Sequence, residues 1–211
     1  MRKFIGFAGK KQVGKDTSAQ IVSKYISTVH NNFPFIMHFA DDLKNKVEEL
    51  YGISRSAPKE GLTHLNWDSL SWEIRLNNSK NFVKGPIDNI DKVVMYPVPR
   101  TGPMTVREVY QVYGEMCRGL DRNIWINSLF RRAPNYGIIL IADVRMPEEV
   151  KRIKESGGAI IKIERETGLV DNDISEISLS DYNGDFKIEN NSTITELETQ
   201  LNTIVDQILR G

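Results

Sequence analysis

Four residues separate Gly9 from Gly14, a lysine follows the second glycine directly, and Thr17 comes two positions later in the run GKKQVGKDT. Residues of these types at this spacing can hold phosphate. Glycine reaches backbone conformations closed to other residues, so successive N–H groups can converge on phosphate oxygens. A helix starting at the second glycine adds its partial positive charge. Lys15 then offers an ammonium group to the β- and γ-phosphates of a nucleoside triphosphate. Gly9, Lys11, Gln12, Val13, Gly14, Lys15, Asp16 and Thr17 are therefore the expected triphosphate-binding stretch. Asp16 stands where the pattern usually carries Ser or Thr. It could hold a magnesium-bound water, anchor an arginine on the acceptor side, or serve only as an acid favoured in a first helical turn.

A second carboxylate, Asp143, ends the apolar run GIILIAD, with Arg145 two residues on and Glu148 and Glu149 after it. In an open parallel sheet, ligands bind outside the carboxyl ends of the strands, which puts Asp143 near the loop. There it could order magnesium, hold the acceptor, or cap the helix that begins near Pro147. A phosphate acceptor needs no general base, because its oxygen is already anionic. It needs charge neutralisation and alignment, which arginines supply. Arg107, Arg118, Arg122, Arg131, Arg132 and Arg145 are the candidates, with Arg107, Arg118 and Arg145 favoured. The three histidines (His30, His38 and His64) show no ligand spacing, and the single cysteine, Cys117, cannot build a zinc cluster.

Strand–helix alternation has to position these groups. KFIGFAG (3–9) reads as a buried strand, and 15–29 as a helix turning Ala19, Ile21, Val22, Tyr25 and Ile26 to a core. FPFIMHFAD (33–41), GIILIAD (137–143), AIIKIER (159–165) and DFKIEN (185–190) read as further strands. The Asp41-Asp42 pair is expected to cap the helix through LKNKVEELYG, and Thr105-x-x-Glu108 and Thr193-x-x-Glu196 form capping boxes. The expected fold is α/β: three layers around a central, mostly parallel sheet. Residues 52–104 break the alternation with five prolines and polar composition, and are expected to form an inserted lobe or lid.

With 28 basic and 28 acidic side chains, no net field draws a polyanion, so polymeric nucleic acid is not the expected partner. The opening MRKFIGFAG is too short and too broken by glycine for a leader or a membrane span. One cysteine suits a reducing cytoplasm. The sequence leaves the oligomeric state open, a homodimer included.

Together, GKKQVGKDT, FADDLK (39–44), TVREVYQVYGEMCRGLDRNIW (105–125), DVRMPEE (143–149) and DNDISEISL (171–179) make the chain resemble the phage-type deoxynucleoside monophosphate kinases, a P-loop family. The resemblance implies ATP on the loop with Mg2+, Lys15 and Thr17 in their usual roles, and Asp16 near the transferred phosphate. It implies a deoxynucleoside monophosphate held by Asp41 and Lys44 of FADDLK, by Arg107, Gln111 and Gly114, by Arg118 and Trp125, and by Asp143 with Arg145. Glu149 would orient Arg145, Asn190 would lie on the adenine side, and Asp16, Thr17 and Asp143 would serve the metal. The chain departs from the family's pattern where a threonine usually follows the glycine, having Gly114-Glu115, and where a histidine usually precedes Ser-Glu, having Asp173 before Ile174, Ser175 and Glu176. A kinase of another small phosphorylated metabolite (dephospho-coenzyme A or phosphomevalonate, for instance) and a non-catalytic ATP-binding protein are the other readings.

Overall fold

From the amino end, the elements of the computed structural model are β1 (Arg2–Ala8), α1 (Lys15–Val29), β2 (Pro34–Met37), α2 (Asp41–Tyr51) and β3 (Leu62–Asn66). A 3-10 turn (Trp67–Ser69), α3 (Trp72–Asn77), β4 (Asn81–Ile87), β5 (Ile90–Val98), β6 (Pro103–Thr105) and α4 (Val106–Leu120) follow. The chain then forms α5 (Ile124–Arg132), β7 (Gly137–Val144), α6 (Pro147–Glu155), β8 (Ala159–Glu164), β9 (Phe186–Glu189) and α7 (Ile194–Arg210). The structure describes residues 2–87, 90–166, 179 and 182–210. The expectation for Asp173 to Glu176 lies outside the described residues. Two compact units form, one from Met1–Asp42 with Asp121–Gly211 and one from Leu43–Leu120.

The first unit is built on a five-stranded sheet in the order β2-β7-β1-β8-β9, with every pairing parallel. Alternate residues along β1 feed opposite faces, as the period of two requires. Ile5 and Phe7 join Ile138, Leu140, Val22, Ile26, Leu201 and Val205 under α1 and α7. Phe4 and Ala8 join Ile139, Ile141, Leu129, Phe130 and Ile153 under α5 and α6. With both faces covered, the strands read as continuous apolar runs, and the architecture is the expected three-layer α/β one. The chain leaves β1 toward one side of the sheet and, after β7, crosses to the other. The carboxyl ends near β1 are therefore a topological switch point, where such folds bind ligands.

Helix starts divide into those that follow their signal and one that does not. Thr105 and Glu108 form a reciprocal box: Glu108 N–H donates to Thr105 Oγ1 at 3.3 Å, and Thr105 N–H donates to Glu108 Oε2 at 3.0 Å. At α7, Thr193 Oγ1 accepts from Glu196 N–H at 3.3 Å, while the Glu196 carboxylate takes the Ser192 hydroxyl instead of closing the box. The Asp41-Asp42 pair is not a cap. Helix α2 already begins at Asp41, so both acids lie in its first turn and their carboxylates serve tertiary partners. Asp41 Oδ2 accepts from His38 N–H, and Asp42 accepts from Ser128 Oγ and Arg132 Nε.

The second unit contains the whole 52–104 stretch, whose described residues are largely regular: β3 pairs with β6, and β4 with β5, both antiparallel. Each pair has only two strands and so no buried central strand, which is why polar residues and prolines such as Pro97 and Pro103 are tolerated there. Its polar centre is Glu108. The buried carboxylate accepts from Trp67 Nε1 at 3.3 Å, Lys80 Nζ at 3.2 Å, Thr105 N–H and Arg100, whose guanidinium also covers the Trp67 ring. Burial raises the carboxyl's affinity for a proton, but the Thr105, Arg100, Lys80 and Trp67 hydrogen bonds outweigh it and bring the pKa down from 4.5 to about 2. A depressed carboxylate stabilises the fold above its unfolded value and loses that contribution as pH falls through the folded one. Glu108→Gln is therefore expected to cost about 3 kcal/mol at neutral pH. In denaturant titrations the gap should shrink as pH falls from 4.5 toward about 2. Equal stability of the two proteins at pH 7 would remove Glu108 from this role.

Candidate phosphate-binding site

The turn from β1 into α1 takes the shape its glycines permit. Gly9 has φ 145°, Gln12 φ 63° and Gly14 φ 101°. A Cβ on Gly9 would lie 2.2 Å from Ile163 O on β8, so the backbone passes closer to that strand than any side chain allows. Val13 is buried in the core below the turn. Asn190, only 9 % exposed, donates from Nδ2 to Val13 O at 2.9 Å, and its own N–H donates to Glu164 O at 2.7 Å. Asn190, expected on the adenine side, thus ties the turn to the end of β9. Gly14 stands at the N-cap of α1 with no side-chain cap, and the N–H groups of a first helical turn point out of the helix end, where an anion can accept from them.

Lys15 folds into this turn, 7 % exposed, with Nζ donating to Gly9 O and Lys10 O at 2.6 Å each. Convergent backbone, an uncapped helix start and an enclosed ammonium together fit a phosphate chain. Gly9, Lys10, Val13, Arg145, Lys162 and Asn191 help line a cavity of about 380 Å³ beside the loop, large enough for a small organic ligand.

At the neighbouring strand ends, Asp143 accepts from Phe39 N–H at 2.8 Å and Ala40 N–H at 3.2 Å, fixing the corner between β2 and α2. Burial raises its carboxyl above the ordinary value, opposed by His38, the two N–H groups and Arg145. Asp143 does not cap α6: that helix starts from Met146, and Glu149 Oε2 accepts from Arg145 N–H at 2.7 Å and Met146 N–H at 3.0 Å. Glu149 thus holds the backbone of Arg145. Asp16, for which an arginine was one expected partner, faces a histidine: His38 Nε2 is 3.0 Å from Asp16 Oδ1. Asp41 Oδ2 stands 3.7 Å from His38 Nδ1, an ion-pair separation. Asp41 raises the ring's pKa, burial opposes it, and Asp16 and Asp143 add to it, giving about 9. No sequence pattern flagged His38; its place at a strand end, directly before Phe39-Ala40-Asp41-Asp42, was the available signal.

Trp125 is buried on α5, 8 % exposed. The remaining acceptor candidates belong to the second unit. Arg107 on α4 pairs with Glu60 through Nε at 2.8 Å, and Arg118 with Glu115 at 3.0 Å. Gln111 is exposed on the same helix, Gly114 is buried against Leu43 of α2, and Lys44 is half-buried on α2. Among the described residues, no three His, Cys, Asp or Glu side chains cluster as a metal site, and no helix is long and apolar enough to cross a membrane.

Fold and turn define a parallel α/β protein with a phosphate loop after its first strand. The sequence profile of the deoxynucleotide monophosphate kinase family matches residues 69–201, well over half of the chain, and the chain belongs to that family. The match takes in α4, the Asp143–Glu149 segment and Asn190 and begins after the phosphate loop, so family and loop are independent observations. A protein of Acanthamoeba polyphaga mimivirus, provisionally named a deoxynucleotide monophosphate kinase, is 26 % identical over 221 residues, covering 96 % of this chain and 95 % of its own. A solved structure of a Borrelia burgdorferi B31 protein, provisionally assigned to plasmid partition and bound to AMPPNP, aligns over 99 % of this chain and 98 % of that one. It does so at 13 % identity and a TM-score of 0.34, too loose a likeness to carry an argument.

Proposed function

We propose that the protein transfers the γ-phosphoryl group of ATP to the phosphate of a deoxynucleoside monophosphate, releasing ADP and the deoxynucleoside diphosphate. The observation that carries this reading is the Lys15 ammonium enclosed by the carbonyls of Gly9 and Lys10 in a chain of this family. The bond from the γ-phosphorus to its bridging oxygen breaks as one to an acceptor phosphate oxygen forms, and no proton has to leave the acceptor. The protein's part is alignment and charge neutralisation. Lys15 and the loop amides from Gly9 to Thr17 serve the donor, and the cavity beside them suits the rest of that nucleotide. Arg145 and Lys15 offset charge on the transferred group, with Asp16 beside it. Asp41, Lys44, Arg107, Gln111, Gly114, Arg118, Trp125, Asp143 and Glu149 are assigned to the acceptor, directly or through a neighbour.

Thr17, Asp16 and Asp143 would hold Mg2+, directly or through water, and the ion would supply charge screening for the phosphates. Asp16 and Thr17, both exposed in the first turn of α1, offer the oxygen ligands that this hard cation takes. Incubation with ATP, Mg2+ and each deoxynucleoside monophosphate in turn, resolved by anion exchange, should show ADP and a matching diphosphate for at least one base. If no base yields a diphosphate, the reading fails.

A further inference from the structure

His38 has no place in the phosphate-loop pattern, yet it touches that loop's least conventional residue. Its Nε2 donates to Asp16 Oδ1 at 3.0 Å, and its Nδ1 lies 3.7 Å from Asp41 Oδ2. A carboxylate oxygen only accepts, so at 3.0 Å the ring's Nε2–H is the donor of this hydrogen bond. The backbone that carries the ring is also fixed. His38 N–H donates to Asp41 Oδ2 at 3.0 Å, and the next two N–H groups, of Phe39 and Ala40, donate to Asp143. Asp16, by contrast, is an open side chain, 76 % exposed, in the first turn of α1.

An exposed aspartate samples several rotamers, and a bond to a ring on a fixed backbone removes that freedom. A surface pair of this kind contributes little to stability, so its value has to be sought in geometry.

Resting on the phosphoryl transfer proposed above, we infer that His38 is a positioning residue: it holds the Asp16 carboxylate in one orientation beside the phosphate loop. It links the loop to the Phe39–Asp41 corner without itself touching the reacting atoms.

A double-mutant cycle separates this role from a structural one. His38→Ala is expected to lower kcat about tenfold, with KM for ATP changed less than about twofold. In an Asp16→Asn background the same change should cost less than about twofold more, because its target is gone. His38→Gln, which can still present an N–H toward Asp16, should recover most of the loss. Equal losses in both backgrounds, or no recovery with glutamine, would overturn the inference. A second readout needs no turnover: the His38 side-chain 15N resonances should shift in Asp16→Asn. If they do not move, the contact is absent in solution and the inference fails even in an active kinase. If wild-type protein turns over no monophosphate, the functional reading fails by itself, and the resonances alone decide the tether.

Discussion

Lys15→Ala is expected to lower kcat for phosphoryl transfer by roughly 100- to 1,000-fold while leaving the folded chain nearly intact. The ammonium faces charge that develops on the transferred group, and removing one such pre-placed donor typically costs this much. The fold should tolerate the change because the side chain's partners are two carbonyls of a surface turn, Gly9 O and Lys10 O. Water can replace the ammonium on both, so the stability cost is about 1 kcal/mol. Val13 in the core and the Asn190 bond to Val13 O would still hold the turn. Steady-state rates and a melting curve on the same preparation test the two halves together. Near-normal turnover would remove Lys15 from the chemistry. A collapsed melting transition would instead show the lysine to be a structural pin.

What the sequence made legible follows from how local each signal is. Helix α1 was readable to its ends because Ala19, Val22 and Ile26 recur at helical spacing and the glycines of the loop precede it. The parallel sheet was readable because strands buried on both faces, such as GIILIADV, are unbroken apolar runs. The shape of the turn after β1 was readable because two glycines encode it within a few residues. The network around it was less so, because its partners are far apart in the chain. Asn190 meets Val13 across 177 positions, and His38 meets Asp16 across 22. Asparagine after a strand suggested a base contact or a turn; only the fold shows its amide engaged by the loop. The acids at 41 and 42 illustrate the complementary failure. Their types suit an N-cap, but Ser128 and Arg132 on α5 and the backbone of His38 supply better partners one residue into the helix. In the second unit, strands paired only in twos bury no central strand and so show no unbroken apolar run, and a folded segment read as irregular.

Gly9→Ala should abolish high-affinity ATP binding, weakening it by about 100-fold or more, through geometry alone. The added methyl would stand 2.2 Å from Ile163 O and 2.9 Å from Val13 Cγ2, so one of these neighbours or the loop has to move. Ile163 cannot yield easily: it is fully buried in β8, a strand paired with β1 on one side and β9 on the other. Holding the native path would combine an overpacked contact with a φ of 145° that alanine does not adopt, a cost of about 4 kcal/mol or more. Moving the loop costs less, because Gly9 to Gln12 lie outside the core and only Val13, at the far end of the turn, is buried in it. The loop should therefore give way. The variant is expected to stay folded with a modestly lower melting temperature, while ATP no longer raises that temperature as a bound ligand must. Calorimetric titration with ATP and Mg2+ measures the loss directly. An alanine variant with wild-type ATP affinity would mean that nucleotide phosphates do not use this turn.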